Sequence, residues 1–288
     1  MHHVTPALSV QSAFNYCEQI AKRHYENFPV ASLFIRKKYR PYIYSIYAFA
    51  RTADDFSDEG TLSAAKRLEK LDRWEEQLDE CIAGRAIQPI FVALAETLAR
   101  TGIPRKPLSD LLVAFRMDVT QDRFETFDEL LNYCAHSANP IGQLVLYVFH
   151  AAADSTISLS DKICTALQLA NFWQDVSVDL KKPRVYIPLE DFDRFGYTEA
   201  DLLRRTSDER FRRLMQFEVE RTEDLFSEGR PLLDLVPGEL RFELRLTLHA
   251  GMTILRKIRA AQYDVITRRP RITSVDRASI LAKSILQR

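Results

Sequence analysis

The chain has 288 residues, of which 46% are hydrophobic, and its 40 basic side chains balance its 40 acidic ones. This composition excludes a disordered chain, and the zero net charge leaves no overall field that would favour nucleic acid as a partner. Only 8 residues are glycine, where roughly 20 would be average for this length, and neither glycine-rich nucleotide-binding fingerprint is present.

Helical periodicity runs through almost the whole chain. Apolar residues recur at three- and four-residue steps in the segments 8–27, 40–58, 61–83, 158–180 and 211–236. Breaks at proline and glycine divide the chain into about ten predicted helices. We find no flexible linker, internal repeat or low-complexity segment, and we therefore expect one all-α domain over residues 1–288.

The termini and the cysteines indicate a protein of the cytoplasm. Residues 1–10 lack the pattern of a signal peptide, and the longest nearly apolar stretch, Ile141–Ala153, is too short to span a bilayer. Peripheral contact with the inner membrane stays open. The four widely spaced cysteines favour buried, reduced thiols over a zinc site or disulfides: Cys17, Cys81, Cys134 and Cys164.

The first acidic motif lies at the end of the predicted helix 40–58. Asp54 and Asp58 are four residues apart and share one helix face. Arg51 and Tyr47 continue this stripe towards the amino terminus. Neighbouring carboxylates repel each other, and Mg²⁺ commonly binds one or two carboxylates together with phosphate oxygens. An acidic, solvated helix end is the alternative interpretation.

The segment Asp128–Ala153 reads as a helix that Asn139–Pro140 interrupts. Proline in a helix interior kinks or ends the helix. A simple junction between two helices and a functional kink are both compatible with this pattern.

The second acidic motif follows in the run Ile163–Leu180, for which Ser160 is the expected N-cap region. Asn171, Asp175 and Asp179 lie on one face at four-residue steps. The residues between them are largely apolar, so the helix reads as mainly buried. Unpaired buried carboxylates are costly, and pairing or metal binding is the usual resolution.

A basic and aromatic loop comes directly after this motif, with Lys182, Arg184 and Tyr186. One interpretation is a surface turn whose lysines offset a helix C-terminus. The other is a flap in which Arg184 contacts phosphate, since guanidinium suits phosphate geometry. Residues 184–188 also carry the one alternating pattern typical of a short strand.

Together the two motifs predict a site for a diphosphate group bridged by Mg²⁺. If the two helices face each other, a diphosphate fits between their carboxylates. The metal would then neutralise charge as a C–O bond to diphosphate breaks. Asn171 suits the role of a neutral oxygen ligand.

The chain resembles the squalene/phytoene synthase family over nearly its whole length. YAFARTADDFSDEG, residues 47–60, is similar to the first aspartate motif of that family, and QLANFWQDVSVDLKKPRVYIPLED, residues 168–191, to the second. The segment 117–144 resembles the region between the motifs, with Tyr133 and Gly142 at family positions. The segment 23–35 resembles the entrance region, with His24 and Phe28.

This resemblance implies an all-α isoprenoid synthase fold with a central cavity and a prenyl diphosphate substrate. It places five magnesium ligands at Asp54, Asp58, Asn171, Asp175 and Asp179. It also implies roles for residues around the substrate, with Arg51, His24, Lys182 and Arg184 at the diphosphate, Tyr47, Tyr133, Gln168 and Tyr186 near the reacting carbons, and Phe28, Asn139 and Gly142 in the cavity.

Three departures resemble one subgroup, the hydroxysqualene synthases of bacterial hopanoid pathways. Gln174 replaces a frequent arginine, Asn139–Pro140 replaces a small-residue run, and Gly251 stands where many members carry tyrosine. That subgroup ionises presqualene diphosphate, and water then forms hydroxysqualene. We expect the missing tyrosine at Gly251, with Gln174 and Asn139, to admit and orient that water. Other enzymes of the same pathway are expected partners.

Four alternatives remain at this point. The nearest is a family member that condenses two farnesyl or other prenyl diphosphates head-to-head. Head-to-tail elongation is disfavoured because the second motif has no DDxxD, and a non-catalytic assembly factor because all five ligands and Arg51 are present. A haem or nucleic-acid protein is disfavoured because the histidines lack paired-ligand spacing. The Arg268–Arg271 cluster is expected to be a solvated end rather than a lipid contact.

Overall fold

The computed structural model describes residues 9–23, 35–58, 62–181 and 184–286. In these residues it contains fourteen helices and no strand, which confirms the predicted all-α class. The chain groups into two compact units, and each unit combines two separate stretches of sequence. Whether these two units together form the single domain expected over residues 1–288 stays a prediction.

The first unit comprises the described residues up to Thr120, together with Gln143–Ala152. Its second helix packs against the other four and has Phe49 fully buried. The Phe49 ring lies 5.9 Å from that of Trp74, which lies 4.5 Å from that of Phe91. This aromatic core fixes the helix that carries the first motif. The helices are α1 (Val10–Arg23), α2 (Arg40–Asp58), α3 (Ala64–Ile82), α4 (Pro89–Thr101) and α5 (Arg105–Thr120).

The second unit comprises Gln121–Gly142 and the described residues from Ala153 onwards. Two helices of the earlier part are α6 (Phe127–Ser137) and α7 (Asn139–Val148), of which α7 continues into the first unit. The later helices are α8 (Asp154–Asp179), α9 (Leu189–Phe195), α10 (Glu199–Leu203), α11 (Glu209–Gly229), α12 (Leu232–Leu235), α13 (Gly238–Ala260) and α14 (Ser274–Leu286).

Helix α8 is the central element of the second unit, since α6, α11, α12 and α13 all pack against it. Trp173 is fully buried, and its indole nitrogen donates to Thr222 Oγ1 at 2.8 Å. The prediction that Ser160 lies near the N-cap is wrong. The helix begins six residues earlier, where Ala153 N donates to Thr156 Oγ1 at 2.9 Å, and Ser160 is buried inside it.

The expected interruption at Asn139–Pro140 is a junction between two helices. Helix α6 ends at Ser137 and α7 begins at Asn139, so the proline stands in a first turn, where its missing N–H leaves no bond unmade. Asn139 is buried and accepts a hydrogen bond from Thr165 Oγ1 at 2.9 Å. The junction is thereby tied to α8. Its functional role stays a prediction.

Residues 184–188 are extended but are not a strand. Val185 N donates to Asp122 O at 3.0 Å, and Leu189 N donates to Phe124 O at 2.9 Å. Val185 and Ile187 are buried, whereas Arg184 and Tyr186 are half-buried, which explains the alternating sequence pattern. No helix in the described part of the chain is long and apolar enough to cross a membrane.

Candidate functional site

The first motif occupies the last turns of α2 and is organised by one arginine. Arg51 Nη1 lies 3.2 Å from Asp54 Oδ2, and Arg51 Nη2 lies 2.6 Å from Asp55 Oδ1. Both contacts join residues of one helix, because spacings of three and four bring side chains together. Asp55 is the member of this group that the sequence analysis did not single out. Asp58 is exposed at the helix end.

Tyr47 lies one turn before Arg51 and is half-buried. Burial raises the pKa of its hydroxyl, and the nearby Arg51 offsets part of that rise. The phenol is therefore neutral at physiological pH. The stripe of Tyr47, Arg51 and Asp54 has the arrangement expected from the spacing in the sequence.

The second motif is held by an arginine from a distant part of the chain. Asp175 receives two contacts from Arg269, with Nε to Oδ1 at 2.5 Å and Nη2 to Oδ2 at 3.0 Å. Asp175, with a smaller contribution from Asp179, raises the pKa of the Arg269 guanidinium. The bidentate geometry is the strongest form of this pair. Asn171 is exposed on the same helix face.

A second contact joins the same distant segment to the motif. Gln174 Nε2 donates to the Pro270 carbonyl at 2.7 Å. Arg268, Arg269 and Arg271 are exposed, as expected of a solvated segment. The expectation did not include the pairing of Arg269 with Asp175, and it is wrong for Pro270, which is buried. The pattern RRPR was the one hint in the sequence, and it did not identify a partner 94 residues away.

Four aromatic rings form a cluster beside the second motif. Tyr186 stacks on Phe172 with ring centroids 3.7 Å apart and planes 8° from parallel. Tyr133 lies 6.2 Å from Phe172 and 6.1 Å from Tyr186. Phe124, which the sequence analysis missed, lies 5.9 Å from Tyr186. Tyr133 and Tyr186, which the resemblance assigns to the same region, thus lie in one cluster.

Arg184 lies in a narrow cleft at the C-terminal end of α8. Asp179 also lines this cleft, so a cation and a predicted metal ligand lie along one small surface. The Arg184 guanidinium therefore lies where it can donate hydrogen bonds to an anion bound beside Asp179. Lys182 lies outside the described residues, as do His24 and Phe28, and their roles stay predictions.

Gly142 and Gly251 are points of close helix packing. A Cβ at Gly142 would lie 2.4 Å from Ser160 Oγ and 2.5 Å from Cys164 Sγ. A Cβ at Gly251 would lie 2.5 Å from Phe226 Cζ. The predicted gap at Gly251 is therefore wrong, because the Phe226 ring fills that space. Whether either glycine also lines a substrate cavity stays a prediction.

Gln168 and Asn139 complete the predicted set. Gln168 is half-buried on α8, one turn before Asn171. Asn139 uses its side-chain oxygen to accept from Thr165. Their proposed contacts with substrate or water stay predictions.

The donor atoms of both motifs fit Mg²⁺. They are carboxylate and amide oxygens, which this ion prefers, and it commonly takes only one or two carboxylates from the protein. The described residues hold no cluster of three or more His, Cys, Asp or Glu side chains that would bind a metal without substrate. Asp54 and Asp175 already attract arginine cations. Each motif, taken by itself, therefore offers oxygen ligands of the kind that Mg²⁺ prefers.

Comparisons with known proteins place these residues in a wider context. Residues 21–276 match the family model described as squalene/phytoene synthase. A phytoene synthase of Arthrospira platensis is 34% identical over 278 residues, 92% of this chain and 89% of that protein. A hydroxysqualene synthase of Rhodopseudomonas palustris is 41% identical over 209 residues, 72% of this chain and 70% of that protein.

A solved structure has a similar sequence identity to this chain. The crystal structure of the squalene synthase HpnC from Alicyclobacillus acidocaldarius has a TM-score of 0.85 and 40% sequence identity. The match covers 88% of this chain and 95% of that one. This likeness extends to the fold as well as to the sequence.

Proposed function

Because this chain belongs to the squalene/phytoene synthase family, whose members process prenyl diphosphates, we propose that it converts presqualene diphosphate and water to hydroxysqualene and diphosphate. The C–O bond to diphosphate breaks, and its electron pair leaves with the diphosphate. A water oxygen then bonds to the cation and releases one proton. The reaction needs no oxidant or reductant.

The observation that carries the proposal is the second motif on α8. It combines Asp175 and Asp179 with an exposed amide at Asn171, beside a cluster of stacked aromatic rings. An anion-handling face and a cation-stabilising face thus occur together. Ionisation of a diphosphate ester needs both, since it produces an anion and a carbocation.

The proposed magnesium ligands are Asp54, Asp58, Asn171, Asp175 and Asp179. Family members use Mg²⁺ to bind diphosphate. When bound, the ion supplies neutralisation of the charge that develops on the departing diphosphate. Arg51 and Arg184 add cationic hydrogen-bond donors suited to phosphate oxygens, and His24 and Lys182 are assigned to the same group by resemblance.

The aromatic cluster is assigned to the cation. The faces of Tyr133, Phe172 and Tyr186 carry negative potential that attracts positive charge. Tyr47 and Gln168 complete this set by resemblance. Burial raises the pKa of the Tyr47 hydroxyl, so this group does not compete as an anion for the cation.

Gln174 is assigned to the water. Its amide nitrogen is committed to the Pro270 carbonyl, which fixes the orientation of the amide and leaves its oxygen to accept from a water molecule. Gln174→Arg, which restores the residue frequent in relatives, should lower the ratio of alcohol to hydrocarbon products. An unchanged ratio would remove Gln174 from the mechanism.

Head-to-head condensation of two prenyl diphosphates is the second candidate function. The phytoene synthase of Arthrospira platensis matches a larger share of this chain than the hydroxysqualene synthase does, although at lower identity. Both reactions expel diphosphate, so the acidic motifs serve either one.

One pair of incubations separates the two candidates. The purified protein is given Mg²⁺ with farnesyl diphosphate in one arm and with presqualene diphosphate in the other. The proposal predicts an alcohol from presqualene diphosphate and no product from farnesyl diphosphate. Formation of presqualene diphosphate, phytoene-type hydrocarbon or squalene from the first substrate would contradict it.

A further inference from the structure

The last described helix, α14, presents an apolar face to solvent. Ile280 and Ser284 pack against the protein. The opposite side of the helix carries apolar side chains, although the solvent-facing side of a helix is normally polar. At 100° per residue these side chains form one continuous surface. Val275, Leu281, Ile285 and Leu286 are 79%, 36%, 57% and 81% exposed, with Ala278 and Ala282 exposed between them.

A basic groove lies next to this helix. It has a volume of about 390 Å³, which is within the usual range for a small-molecule site. Its apolar lining is Phe226, Leu233, Leu248 and Met252, and its charged lining is entirely basic, with Arg230, Arg245, Arg256 and Lys283. Such a groove suits an anionic group attached to hydrocarbon.

The four cations have no carboxylate partner among the described residues. Arg256 donates to Thr253 Oγ1 at 2.7 Å and to the Met252 carbonyl, which are both neutral. Elsewhere arginines such as Arg116 and Arg123 are paired with acidic side chains. Four uncompensated cations in one place repel one another, so an anion would relieve that repulsion.

We propose that the apolar face of α14 and the basic groove form one docking surface for an anionic lipid bilayer. Lys283 belongs to α14 and also lines the groove, so the apolar and basic parts are continuous. The apolar side chains enter the boundary of the bilayer, while the arginines and lysine contact phosphate headgroups. This docking does not depend on which reaction the enzyme catalyses.

A second copy of the chain fits this surface less well. A two-fold dimer places the same patch of both copies face to face. The basic groove of one copy would then meet that of the other, and like charges would oppose association. An anionic bilayer complements both the charge and the apolar face.

Vesicle co-sedimentation of the purified full chain tests the proposal. The protein should bind vesicles of equal parts phosphatidylglycerol and phosphatidylcholine, and added salt should weaken the binding. The double variant Leu281→Gln, Ile285→Gln should bind roughly tenfold more weakly or worse, because two inserted apolar side chains are lost. Its circular dichroism should be unchanged, since both side chains are exposed.

Control variants carry the same kinds of substitution outside the docking surface, and they show whether the position of the lost side chains matters. Ile87 and Leu203 are 85% and 61% exposed on other elements, and the double variant Ile87→Gln, Leu203→Gln should bind like the parent. For charge, Arg245→Gln with Lys283→Gln should weaken binding roughly tenfold or more. Removal of two exposed cations elsewhere, by Lys37→Gln with Arg213→Gln, should have a much smaller effect.

Three results would overturn the proposal. The first is equal binding to pure phosphatidylcholine, and the second is equal loss of binding in the matched controls. The third is a concentration-dependent dimer, seen by sedimentation velocity, that Leu281→Gln with Ile285→Gln abolishes while vesicles are not bound. That last result would assign the apolar face to a second copy.

Discussion

The two acidic motifs are stabilised in different ways. In the first, Arg51 contacts Asp54 and Asp55 from the same helix, three and four residues away. In the second, Asp175 is held by Arg269, 94 residues away in sequence. The first arrangement is a local property of α2. The second exists only when the chain between α13 and α14 lies against α8.

The surroundings of the motifs also differ. In the described residues, the buried carboxylic acids all belong to the unit of the second motif: Asp191, Asp201, Glu218 and Glu243. Glu218 is fully buried and contacts Arg221 at 2.5 Å. The first unit buries hydroxyls, such as Ser45 and Thr97, which hydrogen-bond to each other at 2.7 Å. The second motif therefore lies in the unit whose stability depends more on protonation.

Removal of the central carboxylate of the second motif should have the largest effect. If Asp175 is a metal ligand as proposed, Asp175→Asn should lower turnover on the order of a thousandfold, because the charge of that ligand is lost. Asp224→Asn is the matched control, since Asp224 is exposed on α11. Steady-state kinetics at saturating Mg²⁺ measures both. Near-normal turnover of Asp175→Asn would remove this residue from the metal site.

The buried Glu243 should make stability depend on pH. Burial raises its pKa to about 7, and neither carboxyl oxygen has a hydrogen-bond partner within the described residues. Below the unfolded pKa of 4.5 the group is protonated in both states. As pH rises to about 7, the unfolded state ionises first, and the free energy of unfolding should fall.

Glu243→Gln tests that pH dependence, since it removes the titrating group. Urea unfolding at several pH values should show a smaller fall for this variant than for the parent. Glu76→Gln changes an exposed carboxylate on α3 and should leave the fall unchanged. An identical pH profile for Glu243→Gln and the parent would contradict the assignment.

Substitution of Arg51 and of Arg269 should have different effects on local backbone stability. Arg51→Gln leaves α2 intact, since its contacts lie within one helix, whereas Arg269→Gln releases the segment before α14 from Asp175. The Thr273 N–H, which donates to Asp276 Oδ2 at 2.7 Å, should therefore exchange roughly tenfold faster in Arg269→Gln, which corresponds to about 1.4 kcal/mol. Exchange in α2 should be nearly unchanged for Arg51→Gln. Equal protection of the Thr273 N–H in parent and Arg269→Gln would show that the ion pair does not hold this segment.

Loss of the neighbouring hydrogen bond should have the smallest effect. Gln174→Ala removes the contact with the Pro270 carbonyl, and the free energy of unfolding should fall by about 1 kcal/mol. Gln77→Ala, which removes a longer contact to the Arg73 carbonyl on exposed α3, should cost less. If Gln77→Ala lowered the free energy of unfolding as much as Gln174→Ala, the hydrogen bond between Gln174 and Pro270 would contribute no more than an ordinary contact within one helix.

The helical class and both motif helices were predictable because they follow from local periodicity. Apolar residues at three- and four-residue steps determine which face of a helix is buried. The same spacing predicted that Arg51 and Asp54 share one helix face, but it did not predict that they form an ion pair. The start of α8 was missed because Ala153, with the Thr156 hydroxyl, occupies the cap, and alanine is a poor sequence marker for that position.

The contacts between distant elements were not predictable from one sequence. The basic pattern RRPR indicated charge but not the partner Asp175. The sequence shows that residue 251 is glycine, which suggested an empty space there. Only the structure shows that the Phe226 ring fills this space. Tyr133 and Tyr186 were predicted through a resemblance, whereas their stacking with Phe172 required the folded positions of α6, α8 and the segment 184–188.

In the proposed reaction the oxygen of the product comes from water, so its source is decisive. The purified protein is incubated with Mg²⁺ and presqualene diphosphate in water labelled with heavy oxygen, and the products are analysed by mass spectrometry. We expect an alcohol that carries the label, with one diphosphate released for each molecule formed. An unlabelled alcohol, or a hydrocarbon as the main product, would contradict it.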